Sequence, residues 1–150
     1  MLDFTNKVVL ITGSSRGIGR SIAKLFAEQG ARVVVHFHSN EGAAEETLSS
    51  LPGEGHFIVQ GDIADPDAVA RIVDQVVARA ERLDVLINNA AIYEDHPLAD
   101  VDYETWQQSW RATIDTNLLG AANLCYCAGQ QMILQAVSYT HLTLPTNREV

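Results

Sequence analysis

Four short apolar runs, each followed by a segment with helical spacing, constrain this 150-residue chain more than any other feature. "KVVLIT" (7–12), "ARVVVHF" (31–37), "HFIVQG" (56–61) and "LDVLINNA" (83–90) are strand-length and rich in β-branched residues. Their apolar positions are consecutive rather than alternate, so both faces of the sheet they form must be covered. The first intervening segment, "GIGRSIAKLFAEQG", places Ile18, Ile22, Leu25 and Phe26 on one face and stops at Gly30. "EGAAEETLSSL" (41–51) repeats the helix and "PGEG" breaks it. "DPDAVARIVDQVVARA" opens with acids and Pro66, as a helix N-terminus does, and offers Val69, Ile72, Val73 and Val76 as its buried stripe. From Tyr103 to about Met132 the pattern is helical again, as two segments meeting near Asn117. Such alternation predicts an α/β domain, a parallel sheet with right-handed crossovers and helices on both faces.

Composition narrows the partners. At 47% hydrophobic and 19% charged the chain suits one globular domain, and no low-complexity segment or linker divides residues 1–136. Nineteen Asp and Glu against ten Lys and Arg give a net charge of −9, which repels a phosphate backbone and argues against nucleic acid as a partner. A single basic residue can still hold one phosphate. No run of about 18 apolar residues occurs, and "MLDFTNK" carries an acid where a signal peptide is basic, so no membrane association and a cytoplasmic location are expected. Cys125 and Cys127 in "LCYCAG" are too close for an ordinary disulfide and lack zinc spacing; they are expected to be reduced helix residues. His36, His38, His56 and His96 fall on different strands and loops, which argues against a metal site.

In parallel sheets of this kind, ligands bind beyond the carboxyl ends of the strands. The turn after the first run is "TGSSRGIG" (12–19). Gly13, Gly17 and Gly19 let the main chain turn with positive φ and approach a pyrophosphate closely, while the following helix offers free amides and a positive dipole. The spacing G-x-x-x-G-x-G differs from the commoner dinucleotide fingerprint, and a glycine-rich turn alone equally serves as strand-to-helix punctuation. Its place between the first strand and an amphipathic helix favours the ligand-binding reading.

Together "TGSSRGIG" (12–19), "GDIAD" (61–65), "NNAA" (88–91) and "DTNLLG" (115–120), in this order and spacing, resemble the first half of a single-domain short-chain dehydrogenase/reductase. The wording is similar to the 3-oxoacyl-[acyl-carrier-protein] reductase branch and its glucose dehydrogenase relatives, over residues 5 to about 136. The resemblance implies a Rossmann-type doubly wound parallel sheet, here truncated after the fourth strand and following helix. It implies that Gly13, Ser14, Ser15, Arg16, Gly17, Ile18 and Gly19 hold the cofactor phosphates and adjoining ribose, that Asp62 and Ile63 meet the adenine, and that Asn89, Ala90 and Ala91 border the adenosine side and the nicotinamide ribose. Asn89 would also brace the end of the fourth strand. The family more often has Gly where Ala91 stands, which leaves a main-chain role intact. Asn117 would be the catalytic-tetrad member that breaks helical regularity and holds a water in the proton relay. Read as residues alone, Asp62 equally ends a strand and Asn88 and Asn89 equally make a turn. Tyr93, Trp106 and Trp110 read as packing or as substrate-pocket wall.

The cofactor follows from charge. An NAD enzyme usually places an acid about 20 residues beyond the glycine motif, to accept ribose hydroxyls and repel a 2′-phosphate. Here the second run ends in Phe37, His38, Ser39 and Asn40, with no acid at its tip, and Arg16 supplies a guanidinium suited to that phosphate. NADP(H) is expected, with NAD(H) the second choice; Glu41, the one contrary sign, reads as a helix N-terminal charge.

In the family a Tyr donates the proton, a Lys four residues later lowers its pKa, and a Ser polarises the carbonyl. Lys7 and Lys24 both precede Tyr93, Tyr103, Tyr126 and Tyr139, so no Y-x-x-x-K exists in this chain. After "QQMILQA" the family's fifth strand gives way to "VSYTHLTLPTNREV" (137–150), and one set of codons for Val137 to Thr146 reproduces a transposon-end sequencing adapter. Residues 137–150 are therefore expected to be a non-native, disordered tail on the N-terminal half of a longer protein. The parent is expected to be a carbonyl or alcohol oxidoreductase, a homotetramer by family habit; the alternative is a non-catalytic dinucleotide sensor. The fragment itself is expected to be inactive and poorly stable, with the apolar edge of its fourth strand exposed. Arg111 is the only Lys or Arg from Leu83 to Asn147, thin provision for docking an acidic carrier protein, so a small sugar, alcohol or ketone stands beside the acyl thioester as substrate.

Overall fold

The computed structural model describes residues 2–135. Its elements are β1 (Val8–Ile11), α1 (Gly17–Glu28), β2 (Arg32–Phe37), α2 (Glu41–Ser49), β3 (Phe57–Gln60), α3 (Pro66–Ala80), β4 (Val85–Ile87), α4 (Tyr103–Ile114), a π-helical turn (Asp115–Gly120) and α5 (Ala121–Leu134). The strands form one parallel sheet in the order β3-β2-β1-β4, so the expected α/β, Rossmann-type arrangement is the observed one. Alternate residues divide between two cores, as the pleat requires. Leu10, Val34 and Leu86 face Ile72 and Val76 of α3 and Leu124 of α5. Val9, Ile11, Val33 and Val35 face Ala23 and Ala27 of α1 and Ala44 of α2.

The helix ends follow local chemistry. Asp65 caps α3 by accepting from the Asp67 amide, with Pro66 in the first turn, and Asp102 caps α4 by accepting from Thr105. Gly30, at φ +85°, turns the chain out of α1. All four residues of the expected α3 stripe are buried.

Three expectations are corrected. The face of α1 on the sheet is Gly19, Ala23 and Ala27, with Ile22 and Phe26 partly buried, whereas Ile18 and Leu25 are 75% and 60% exposed. Small residues bring the helix axis close to the sheet, and that closeness rotates the larger ones outward. The fourth strand pairs only over Val85–Ile87: at its start the Val8 amide goes to the Asp84 carboxylate (2.8 Å) while the Asp84 amide donates to the Val8 carbonyl (2.9 Å), and at its end Asn89 and Ala90 turn their amides to the Thr12 hydroxyl. The two helical segments near Asn117 are one continuous helix with a π turn at the junction. Cys125 and Cys127 are free thiols on α5, as expected. Among the described residues β4 pairs with β1 alone, and no helix is long and apolar enough to cross a membrane. The expectations for residues 137–150 lie outside the described residues.

Asp84 anchors the amino ends of the two strands. Its carboxylate is 4% exposed and takes the Val8 amide, the Arg82 guanidinium and, at 3.6 Å, Lys7. Burial pushes this carboxyl up, but the Arg82 hydrogen bonds, the Val8 amide and the charges of Arg82 and Lys7 outweigh it and hold the group below the usual carboxylate range. Asp84→Ala should cost about 2–4 kcal/mol at neutral pH, since it leaves the Val8 N–H buried without an acceptor. The folded value is depressed, so this contribution is present above the ordinary Asp value of 3.8 and disappears as pH falls through the folded one. The stability gap between wild type and variant in urea should therefore narrow in acid, leaving the part due to the Val8 N–H, which a protonated carboxyl still accepts from; a gap independent of pH would contradict the assignment.

Candidate functional site

The carboxyl ends of β1 and β4 are sewn together at Thr12. Its buried hydroxyl accepts from the amides of Asn89 (2.9 Å) and Ala90 (3.0 Å), while the Asn89 side-chain amide donates to the carbonyls of Thr12 (2.9 Å) and Gly13 (3.1 Å). The turn that follows is packed main chain on main chain. A Cβ on Gly13, whose φ is +63°, would lie 2.9 Å from Ala90 Cα; one on Gly19 would lie 2.5 Å from the Gly13 carbonyl and 2.8 Å from Ser14 Cα. Gly17 differs: its φ of +56° needs glycine, yet nothing lies within 4 Å of an added Cβ. Its outer side is open.

The turn is braced from beneath by residues the sequence pattern did not single out. The Ser15 carbonyl accepts from the Arg20 guanidinium (2.7 Å) and the Thr47 hydroxyl (2.9 Å), which ties α2 to the turn. Arg20 also meets Thr47 Oγ1, the Ala43 carbonyl and Glu46. Ser14 is buried; its hydroxyl donates to the Ile11 carbonyl (2.7 Å) and accepts from the His36 amide (3.0 Å). Its side chain is therefore a brace, a correction to its place among the ligand-facing residues. The His36 ring accepts from the Gly13 amide (3.1 Å) and meets the Gly61 carbonyl (3.0 Å). Two signals in the sequence could have found them: a titratable ring inside an apolar run, and an Arg just past the glycine motif.

What remains outward is a row of amides. Among the described residues, those of Ser15, Arg16, Gly17, Ile18 and Gly19 have no acceptor, and the first amide of α1 with a partner is Arg20's, on the Arg16 carbonyl (3.2 Å). Arg16 and Ile18 are exposed, and the Arg16 guanidinium has no partner there. Five consecutive donors without an acceptor stand at this helix start, with the exposed Arg16 side chain among them.

The flanking loops complete the rim. His38 and Ser39 are exposed at the end of β2, and His38 Nε2 stands 3.8 Å from an Asp62 carboxylate oxygen. Asn40 caps α2 by accepting from the Ala43 amide, and Glu41 is the first residue of that helix, the charge position expected of it. Asp62 accepts from the Ala64 amide (2.9 Å), leaving part of its carboxylate open. The Ile63 side chain lies in the core, and its carbonyl lies where a Cβ on Gly120 would come within 2.5 Å. Only its main chain can face a ligand.

Across the site, Asn117 Oδ1 accepts from the Ile92 amide and its Nδ2 donates to the Ile92 carbonyl, both at 2.8 Å. The oddness of an Asn within a helix thus has a local account: its carboxamide clamps the loop after β4 to the π turn. Ala91 is exposed on that loop. Trp106 stacks on Tyr103 and tilts against Trp110, whereas Tyr93 is exposed. An open cavity of about 440 Å³ lies at the opposite, amino ends of the strands, beside Arg32 and Arg82. Those guanidiniums are already engaged by the Gly55 and Arg79 carbonyls and by Asp84, so the cavity offers a ligand little.

Comparison with known proteins agrees with this geometry. A family model described as short chain dehydrogenase matches residues 7–138. The chain is similar to the 3-oxoacyl-[acyl-carrier-protein] reductase FabG of Staphylococcus aureus, 40% identical over 131 residues, covering 86% of this chain and 52% of that protein. FabG of Chlamydia trachomatis is 38% identical over 130 residues, covering 85% and 51%. Among solved structures, a short chain dehydrogenase from Burkholderia cenocepacia in complex with NADP superposes with a TM-score of 0.77 at 31% identity, covering 87% of this chain and 52% of the other. The chain spans about half the length of the curated relatives it matches.

The glycines provide a contrast that can be measured. Gly19→Ala should destabilise the fold by roughly 3 kcal/mol, because the new methyl meets main chain that cannot move aside. Gly17→Ala should cost only about 1 kcal/mol, from the left-handed φ alone. Similar urea midpoints for the two variants would contradict the packing described.

Proposed function

The chain belongs to the short chain dehydrogenase family, and from that premise we propose that it is the dinucleotide-binding half of an oxidoreductase that uses NADP(H) in preference to NAD(H). The intact parent would move hydride between the nicotinamide and a carbonyl or secondary alcohol. Once bound, the dinucleotide would supply the hydride acceptor or donor, and the residues of this chain would hold and orient it. The amides from Ser15 to Gly19 would hold the diphosphate, and Gly13 and Gly17 shape the turn that presents them. Arg16 would pair with the 2′-phosphate, with Ser39 and His38 alongside at a strand tip that carries no acid. The Asp62 carboxylate and the Ile63 main chain would meet the adenine, and Asn89, Ala90 and Ala91 would border the ribose next to the nicotinamide. Because the Asn117 carboxamide is engaged by Ile92, its share in a proton relay would fall to the main-chain carbonyl of the widened turn.

One observation carries this reading: a run of unpartnered amides around a free guanidinium, opposite a β2 tip without an acid. The NADP complex of the Burkholderia cenocepacia neighbour and the FabG relatives support it. The names of those relatives point to a 3-oxoacyl thioester; Arg111 as the sole Lys or Arg between Leu83 and Asn147 keeps a small ketone or sugar beside it. We assign residues 1–136 to the half-domain and 137–150 to a non-native tail.

Calorimetric titration tests the cofactor. Arg16→Glu should weaken NADP(H) binding by about tenfold to a hundredfold, the loss of one charge-assisted contact, and NAD(H) binding by about threefold at most. Equal losses for both would remove Arg16 from 2′-phosphate recognition, and binding of neither by wild type would end the reading. Sequencing genomic DNA past codon 136 tests the catalytic half. A Ser and a Y-x-x-x-K motif in the continuation are expected; a continuation lacking them would favour a dinucleotide sensor, and one reading through "VSYTHLTLPTNREV" would refute the tail assignment.

A further inference from the structure

His36 is 2% exposed, a polar ring within a strand otherwise apolar from Val33 to Phe37. The main chain dictates its chemical form. The Gly13 N–H can only donate, so Nδ1 must carry the lone pair; the Gly61 carbonyl can only accept, so Nε2 must carry the hydrogen. The ring thereby joins the tips of β1, β2 and β3. The main chain of the same residue holds Ser14 on both sides, the His36 amide donating to Ser14 Oγ and the His36 carbonyl accepting from the Ser14 amide, each at 3.0 Å. The amides of Gly13 and Ser14 are thus occupied before any anion arrives, and donors to a ligand begin at Ser15.

We propose that His36 is a positioning residue for the dinucleotide site: its neutral imidazole, strung between the Gly13 amide and the Gly61 carbonyl, sets where the free amides of Ser15 to Gly19 stand relative to the Asp62–Ile63 loop. The inference rests on the function proposed above, since those are its diphosphate and adenine contacts. An apolar ring of similar size fills the space but leaves a buried donor and a buried acceptor unmatched. Ring protonation would set an N–H on Nδ1 against the Gly13 N–H. Burial opposes that charge; the groups facing the ring are His38, which also opposes it, and Asp62, which favours it, and the group is held at about 4. At neutral pH the strut is intact.

The test uses the 150-residue chain with His36→Phe and His36→Gln, following Gly13 amide exchange and imidazole nitrogen shifts by NMR alongside NADP(H) affinity. Wild type should show the Nε2–H tautomer and a Gly13 amide protected at least about tenfold over an open chain. His36→Phe should lose that protection while Leu10 keeps its own, and should bind NADP(H) about tenfold more weakly or worse. His36→Gln, with one acceptor and one donor on its carboxamide, should restore part of both. In wild type, affinity should fall toward pH 4 in step with the His36 titration, a step absent from His36→Phe. A freely exchanging Gly13 amide in wild type would overturn the strut, and His36→Phe with unprotected Gly13 but undiminished affinity would overturn its positioning role. If Leu10 shows that His36→Phe has not folded, the Gln variant and the wild-type pH step decide. A wild type with a protected Gly13 that binds neither NADP(H) nor NAD(H) would instead bring down the proposed function, and with it the role given to this ring.

Discussion

The close approach of α1 to the turn after β1 is the constraint on which the rest depends. Gly19 has no room for a side chain because the Gly13 carbonyl and Ser14 main chain stand where a Cβ would go. With the helix seated so closely, its first amides project past the end of the sheet and cannot be covered by it. Their acceptors come from solvent or, in the function proposed above, from an anionic ligand. The same seating explains why α1 buries Gly19, Ala23 and Ala27 while turning Ile18 toward the open side.

Around that seat the protein divides its polar groups by duty. Thr12, Ser14, His36, Thr47 and Asn89 are engaged with main-chain atoms of the turn and its neighbours. Arg16, His38 and Ser39 are exposed, His38 with Nε2 beside the Asp62 carboxylate. A turn rich in glycine loses more conformational freedom on folding than any other, so it holds one shape only where such bonds offset the loss. At the far end of the sheet Asp84 performs the corresponding service for the amino ends of β1 and β4, with Arg82 and Lys7 balancing its charge. Asn117 attaches the loop after β4 to the long helix, and Gly120, one turn on, lets that helix close on Ile63. The loops after β1, β3 and β4 are in this way referred to one another through main-chain contacts.

Much of this was legible in the chain. The four runs, the acidic, proline-marked start of α3 and its buried stripe are local or periodic signals, and they emerged with shifts of a few residues at their ends; the irregularity near Asn117 emerged as a π turn rather than a break. The error over α1 came from reading hydrophobicity without depth. Ile18 and Leu25 match the helical period, but the glycine and alanines beside them are what permit contact with the sheet. Ser14 was misjudged for a related reason: a place in a loop motif does not tell which way a side chain points. His36, Arg20 and Thr47 escaped notice because each acts on atoms more than twenty residues away or on a carbonyl that any residue could present.

By itself, then, the order of residues determined an alternating α/β chain, the glycine-rich turn after its first strand, and the absence of an acid at the tip of the second, since all of these are properties of neighbours along the chain; of the three glycines expected at positive φ, Gly13 and Gly17 take it, whereas Gly19 is helical and is required by close packing instead. Tertiary structure alone decided which amides are left without acceptors, which polar side chains are occupied, and which tautomer His36 holds. Those depend on main-chain atoms brought together by the parallel sheet, and hydrogen bonds to main chain leave almost no trace in the identity of the residues that accept them.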